Sequence, residues 1–228
     1  MASAARWSSS SLLLRLLLAA AVAAACAPRG LSDATPLQDF CVADLQAALP
    51  VDGFACKPAA NVTDEDFFSG ALVAATSTRN PFGVNSTRAT VSAFPGLNTL
   101  GLSITRTDLA AGGLNPPHSH PRASELVMVL KGEVTVGFTT ATNRLFAKVV
   151  RENELFIVPR GLQHYQLNTG AGDAVFVAMF DSQSPGLVTP TLALFATNPP
   201  MPMEVLTKTF LMGEDEVTAM KSKFAAFA

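Results

Sequence analysis

Three histidines and one glutamate are the residues whose types and spacing most clearly indicate chemistry. Two of the histidines lie in the segment His118-Ser119-His120, and Glu125 follows five residues later. In an extended segment, residues i and i+2 project from the same face, so both imidazoles can reach one metal ion. Glu125 would add an oxygen from the next strand. The third histidine, His164, follows a turn that contains proline and glycine and precedes a predicted strand.

These four side chains would together give one metal ion three imidazole nitrogens and one carboxylate oxygen. Structural zinc sites are closed tetrahedra, often with thiolate ligands. A mixed nitrogen and oxygen set that leaves coordination positions open suits octahedral manganese or iron instead. A single histidine is more often an exposed or hydrogen-bonded residue than a ligand, but the combination favours a metal site.

The elements that must position these residues are short β-strands. From about residue 91 to 178, short apolar or alternating runs are separated by Gly, Pro and Asn, without a sustained helical period. The runs 126–130 and 133–138 are separated only by Lys131-Gly132, which is the spacing of a tight β-hairpin. Many short strands at this spacing predict an all-β barrel or double-sheet jelly roll.

After Pro202 the pattern changes to that of a helix. Val217, Met220 and Phe224 recur at helical spacing, with acidic residues before them and lysines after them, an order that complements the helix dipole. The resulting apolar stripe must be buried, either on the chain's own barrel or on a neighbouring subunit.

Length and composition bound the class of protein. The chain has 228 residues, of which 49% are hydrophobic and 15% charged, which suits one globular domain with a sizeable core. It carries 16 Lys and Arg against 18 Asp and Glu, without a basic block. Nothing therefore supplies the electrostatic footprint of a nucleic-acid-binding protein.

Residues 1–30 are predicted to be a secretory signal peptide. They contain arginines but no acidic residue, and the apolar run 16–27 ends in small residues that suit signal peptidase. This run is shorter than the about 20 residues of a membrane-spanning helix, and no later segment is long and apolar enough. We therefore expect cleavage between about residues 25 and 31 and a secreted protein, residues 31–228, without a membrane span.

The cysteines agree with a secretory route. If Cys26 leaves with the signal peptide, Cys41 and Cys56 remain as a pair in an oxidising compartment and predict one disulfide. A bond closing this loop would stabilise the fold by about 3 kcal/mol and pin the N-terminal segment to the domain.

Two Asn-x-Ser/Thr sequons, at Asn61 and Asn85, are candidate N-glycosylation sites on the same route. Thr63 could cap a helical turn that begins at Asp64 and so engage the segment around Asn61. We therefore expect Asn85 to be the better acceptor.

The motifs that contain these residues resemble those of the germin-like proteins, in the plant branch of the cupin superfamily. The resemblance covers nearly all of residues 31–228. It rests on PLQDFCVADL at 36–45, GLNTLG at 96–101, GGLNPPHSHPRASE at 112–125 and the run to His164 and Asn168.

The resemblance implies a cupin jelly-roll β-barrel with short C-terminal α-helices, assembled as a hexamer that is a trimer of dimers. It implies an N-terminal extension over 31–90 pinned by the Cys41–Cys56 disulfide, a barrel core over 91–195 and C-terminal helices over 200–228. It also implies location in the apoplast or cell wall and a manganese ion whose ligands are His118, His120, Glu125 and His164.

Manganese does not by itself specify the reaction. Within the family, germins are oxalate oxidases that make carbon dioxide and hydrogen peroxide, whereas many germin-like proteins are reported as superoxide dismutases. Of two asparagines that the resemblance assigns to oxalate binding, Asn115 is present, but Thr105 occupies the other position. A threonine hydroxyl cannot offer a carboxylate the two donor hydrogens of an amide. The sequence therefore favours superoxide dismutation, in defence or wall chemistry, over oxalate oxidation.

Weaker candidates are Asn115 and Gln163, which could hydrogen-bond to the metal ligands or only to nearby backbone. A non-enzymatic alternative also stays open: an apoplastic structural or binding protein, or a receptor for a small ligand. The tripeptide at 131–133, Lys-Gly-Glu, has been compared with adhesion motifs in the family, although a charged hairpin tip needs no partner.

Overall fold

The computed structural model describes residues 38–47 and 53–225, so the predicted signal peptide, residues 1–30, lies outside the described residues. The strands are β1 (Val84–Ala89), β2 (Ser103–Leu109), β3 (Leu114–His118), β4 (Glu125–Lys131), β5 (Glu133–Thr139), β6 (Leu145–Arg151), β7 (Leu155–Val158), β8 (Gln163–Asn168) and β9 (Ala174–Phe180). The helices are α1 (Pro190–Phe195), α2 (Met203–Phe210) and α3 (Glu214–Phe224). Short 3-10 turns occupy Ala59–Asn61, Asp64–Phe67 and Pro95–Leu97.

The strands form two antiparallel sheets with the hydrophobic core between them. One sheet has the order β1-β2-β9-β4-β7 and the other has the order β3-β8-β5-β6. Alternate residues point inward, because side chains along a strand alternate between its two faces. Val127 and Val129 of the first sheet share one buried cluster with Val134 and Val136 of the second, and Phe176 completes it. The predicted all-β double-sheet jelly roll is confirmed.

The hairpin predicted at Lys131-Gly132 is wrong. The strand before it, β4, pairs with β7 and β9, whereas the strand after it, β5, pairs with β6 and β8. Gly132, between the end of β4 and the start of β5, therefore carries the chain from one sheet to the other, and its φ is 77°. A hairpin and a corner between packed sheets have the same local pattern, and only pairing with distant strands separates them.

The predicted disulfide joins Cys41 to Cys56. Around it, the backbone N–H of Lys57 donates to the carbonyl of Val42 at 2.7 Å, and that of Ala43 donates to the carbonyl of Pro95 at 3.0 Å. The described part of the N-terminal segment is thus held to the turn that precedes β2. Strand β1 lies within the predicted extension 31–90, yet it pairs with β2 along its whole length.

The C-terminal helices build a second, smaller core. The fully buried Val217 of α3 packs with Leu206 of α2 and Phe195 of α1, and Met220 and Phe224 border this cluster. The apolar stripe is therefore covered by the neighbouring helices of the same chain. Among the described residues, no helix is long and apolar enough to cross a membrane.

Candidate metal centre

The two sheets bring the four predicted ligands together. His118 is the last residue of β3 and lies directly opposite His164 of β8. His120 follows two residues after the strand, and Glu125 is the first residue of β4, in the other sheet. All four side chains are buried, and their potential ligand atoms lie within 4.8 Å of one another. A metal-binding site made of three histidines and one glutamate is therefore present between the sheets.

The backbone fixes the tautomer of each imidazole. The Nδ1 atoms of His118, His120 and His164 lie 2.8, 2.6 and 2.8 Å from the carbonyl oxygens of residues 116, 186 and 162, respectively. A carbonyl oxygen can only accept a hydrogen bond, so each Nδ1 carries the hydrogen and donates it. Each neutral ring consequently keeps a lone pair on Nε2, which is the atom available to a metal ion.

The donor atoms converge without satisfying one another. Glu125 Oε2 lies 2.8 Å from His164 Nε2 and 3.1 Å from His120 Nε2. These distances alone would suggest ion pairs, but neither Glu125 Oε2 nor His164 Nε2 makes a hydrogen bond, although both atoms are buried. The tautomers explain this, because each imidazole turns the lone pair of Nε2, and not a hydrogen, towards the lone pairs of the Glu125 carboxylate. A cation among these atoms would satisfy them all, so the residues fit a metal ion.

Burial and neighbouring charge set the protonation of the centre. Burial, with a further contribution from His164, lowers the pKa of His118 to about 3 despite the opposing effect of Glu125. Burial would raise the pKa of Glu125, but a proton on Nε2 of His120 or His164 would be donated to the carboxylate, and this interaction lowers the pKa of Glu125 to about 2. At neutral pH, His118 is therefore a neutral donor and Glu125 a carboxylate, which are the forms that bind a metal ion.

A hydrogen-bonded chain orients the glutamate. Gln166 is fully buried on β8, and its Nε2 donates to Glu125 Oε1 at 3.1 Å. Asn115 Nδ2 in turn donates to Gln166 Oε1 at 2.7 Å. One carboxylate oxygen is thus held by an amide while the other faces the histidines. Asn115 is linked to Glu125 through Gln166, a residue that the sequence analysis missed.

Gln163, the other weak candidate, lies next to His164 but on the opposite face of β8, because successive residues of a strand alternate. Its Oε1 is buried without a hydrogen-bond partner. The glutamine that hydrogen-bonds to a metal ligand is Gln166, two residues after His164, and not Gln163, the residue before it. The same i, i+2 spacing that linked His118 and His120 was the signal that could have found Gln166.

Replacing Gln166 with leucine is expected to weaken metal binding about 10- to 100-fold, as is typical when a residue that orients a ligand is lost. The change leaves Glu125 Oε1 and the Asn115 amide without their partner. Titration of the metal-free protein with manganese measures the effect. Gln163→Leu is the matched control and should bind as the unaltered chain does; equal affinities for all three proteins would contradict the orienting role.

A small cavity adjoins the centre. It has a volume of about 40 Å³, and His118, His120 and Glu125 form part of its wall together with Thr105 and Asn115. A water molecule needs about 10–15 Å³ by this measure, so there is room for about three water-sized groups. The arrangement can therefore admit a small ligand to a bound metal ion.

Comparison with known proteins agrees with this geometry. The Cupin family model matches residues 69–218. Germin-like protein 1-2 of Oryza sativa subsp. japonica is 79% identical over 89% of this chain and 91% of its own length, and the rhicadhesin receptor of Pisum sativum is 55% identical over 84% and 88%. The structure of oxalate oxidase in complex with the substrate analogue glycolate has a TM-score of 0.84 and 47% identity, over 86% of this chain and 100% of that one. The chain belongs to the cupin family and, within it, to the germin-like proteins.

Proposed function

We propose that this chain is a secreted manganese protein of the plant apoplast that dismutes superoxide and produces hydrogen peroxide, in defence or wall chemistry. The observation that carries the proposal is the convergence of three imidazoles and one carboxylate on one buried point. Nitrogen and oxygen donors with open coordination positions suit manganese. When bound, manganese would supply the change between two oxidation states that dismutation requires.

The protein's part in this reaction is to hold geometry and charge. His118, His120 and His164 would bind as neutral imidazoles, and the carbonyls that accept from each Nδ1 keep the rings oriented. Glu125 would contribute one negative charge and so moderate the charge of the ion. Gln166 would hold the carboxylate in place through its 3.1 Å hydrogen bond.

The cavity supports a small substrate. Thr105 is buried in its wall, where its hydroxyl has one hydrogen to donate and an amide would have two. Dioxygen-sized anions fit a space for about three water molecules. Superoxide has only two heavy atoms. Unlike oxalate, it has no carboxylates, so it needs no group beyond the metal ion to hold it.

Oxalate oxidation is the second candidate. It is favoured by the 47% identity to oxalate oxidase over 86% of this chain and by the presence of Asn115 in the cavity wall. Thr105 argues against it, because a hydroxyl offers a carboxylate one donor hydrogen where an amide would offer two.

The experiment that separates the two reactions uses one sample of the secreted protein with its manganese occupancy determined. We expect superoxide consumption at high occupancy and no hydrogen peroxide from oxalate. Peroxide formed from oxalate would overturn the choice of reaction. High occupancy with neither activity would overturn the enzymatic proposal altogether.

Secretion, glycosylation and assembly as a hexamer, a trimer of dimers, are part of the same proposal. Secretion is supported by the Cys41–Cys56 disulfide, since such bonds persist in oxidising compartments.

Of the two sequons, Asn61 and not Asn85 has the stronger support as a glycan acceptor. The predicted capping box at Thr63 is present, with Asp66 accepting from the backbone N–H of Thr63 at 2.8 Å, but it engages Thr63 and Asp66 and leaves the exposed Asn61 side chain outside it.

Asn61 is therefore the better proposed acceptor of a glycan. Asn85 lies on the paired strand β1, and one of its two Nδ2 hydrogens already donates to the carbonyl of Ser77 at 3.0 Å, so a glycan would have to replace the other hydrogen of a tethered amide. We expect Asn61→Gln, but not Asn85→Gln, to remove one glycan mass from the secreted protein. Mass spectrometry of the intact variants checks this. Loss of a glycan mass in Asn85→Gln but not in Asn61→Gln would contradict the proposal and make Asn85 the better acceptor.

A non-enzymatic receptor is the third candidate, favoured by the 55% identity to the rhicadhesin receptor. The tripeptide at 131–133 connects the two sheets and lines a surface cleft of about 580 Å³ together with Arg151 and Asp173. A binding protein should keep partner recognition after its metal is removed, whereas the proposed enzyme should lose all activity.

A further inference from the structure

One wall of the metal cavity is formed by two strands that carry none of the metal ligands. Ser86 and Arg88 of β1 pair with Thr107 and Thr105 of β2, respectively. Side chains two residues apart on a strand share a face, so all four project to the same side. The same four residues line the cavity that His118, His120 and Glu125 border.

The inner part of this wall is rich in hydroxyl groups. Thr105 and Thr107 are buried, and Ser86 Oγ lies 2.9 Å from Thr107 Oγ1 in a hydrogen bond. A hydroxyl can rotate to donate its hydrogen to an incoming anion or to accept from a water molecule. The wall therefore offers donors without adding negative charge.

The outer part carries a positive charge. Arg88 is exposed, and within the residues that the structure describes its guanidinium makes no hydrogen bond or ion pair. Arg106, on the neighbouring strand, differs, since its charge is paired with Asp108 at 2.8 Å. An arginine remains charged at any physiological pH. Arg88 thus leaves an uncompensated positive charge beside the cavity.

We propose that Arg88 and the hydroxyls of Ser86, Thr105 and Thr107 form an entrance that selects small anions for the metal centre. Arg88 raises the local concentration of anions at the mouth, and the hydroxyl groups replace water around an anion as it enters. The identification of that anion as superoxide rests on the proposed function. The selection of a small anion rests on the wall itself.

Azide, a small monovalent anion, is the probe that tests the entrance. Its affinity for the manganese-loaded protein is measured by electron paramagnetic resonance at low and at high ionic strength. We expect Arg88→Gln to weaken azide binding about fivefold to tenfold at low ionic strength and to remove most of its salt dependence. Arg88→Lys should retain most of the affinity because it retains the charge.

Arg79→Gln is the matched control, because it removes the same charge from an exposed arginine that does not line the cavity. Equal azide affinities in the unaltered, Arg88→Gln and Arg79→Gln proteins would overturn the entrance, even if the protein consumes superoxide. Weaker azide binding in Arg88→Gln alone would support it. That support would hold even if superoxide is not consumed, in which case only the proposed reaction fails.

Discussion

The His118→Ala variant is expected to lose manganese binding, with an affinity more than about 100-fold below that of the unaltered chain. Loss of a residue that merely orients a ligand costs about 10- to 100-fold, so loss of the ligand itself should cost more. His118 also lies opposite His164 in the strand register, and its removal opens the buried centre to water.

Metal analysis of the full-length variant, purified without chelators, measures this loss. Gln163→Leu serves as the control because Gln163 lies beside the centre and faces away from it. Unchanged manganese content in His118→Ala would contradict the ligand assignment. Superoxide consumption should fall together with the metal content in the same sample.

Replacing Gly113 with alanine is expected to destabilise the fold by about 3 kcal/mol or more, at the upper end for overpacked sites. An added Cβ would lie 2.3 Å from the carbonyl oxygen of Gly83 and 2.9 Å from that of Ala110. Both atoms belong to the backbone and cannot rotate away. Gly113 directly precedes β3, so the strain would fall on the strand that carries His118.

Thermal unfolding of Gly113→Ala should show a midpoint lower by roughly 6–12 °C, given about 2–4 °C for each kcal/mol in a domain of this size. Gly172→Ala is the matched control, because a Cβ there would meet nothing within 4 Å. Equal midpoints for the two variants would contradict the close backbone approach at Gly113.

Three of the four metal ligands could be predicted from the sequence because their spacing is local. His118 and His120 share a face by strand geometry alone, and Glu125 starts the next strand. The chain of amides behind Glu125 was not accessible in the same way. Gln166 meets Glu125 only because β8 and β4, in different sheets, pack face to face across the core.

Contacts between distant segments also determine two features of the fold that the local sequence pattern could not predict. The link at Lys131-Gly132 has hairpin spacing, but each flanking strand finds its partners far along the chain. The stripe of Val217 needed a cover, and the sequence could not show that α1 and α2 provide one. Local pattern therefore predicted the elements, whereas their pairing depended on contacts between distant segments.

Anomalous X-ray diffraction across the manganese absorption edge, on crystals of the protein, tests the central claim most directly. We expect one peak per chain among the Nε2 atoms of the three histidines and Glu125 Oε2, with a signal that appears at the manganese edge. A peak at that point with the edge of zinc, or a manganese peak elsewhere in the protein, would contradict the account.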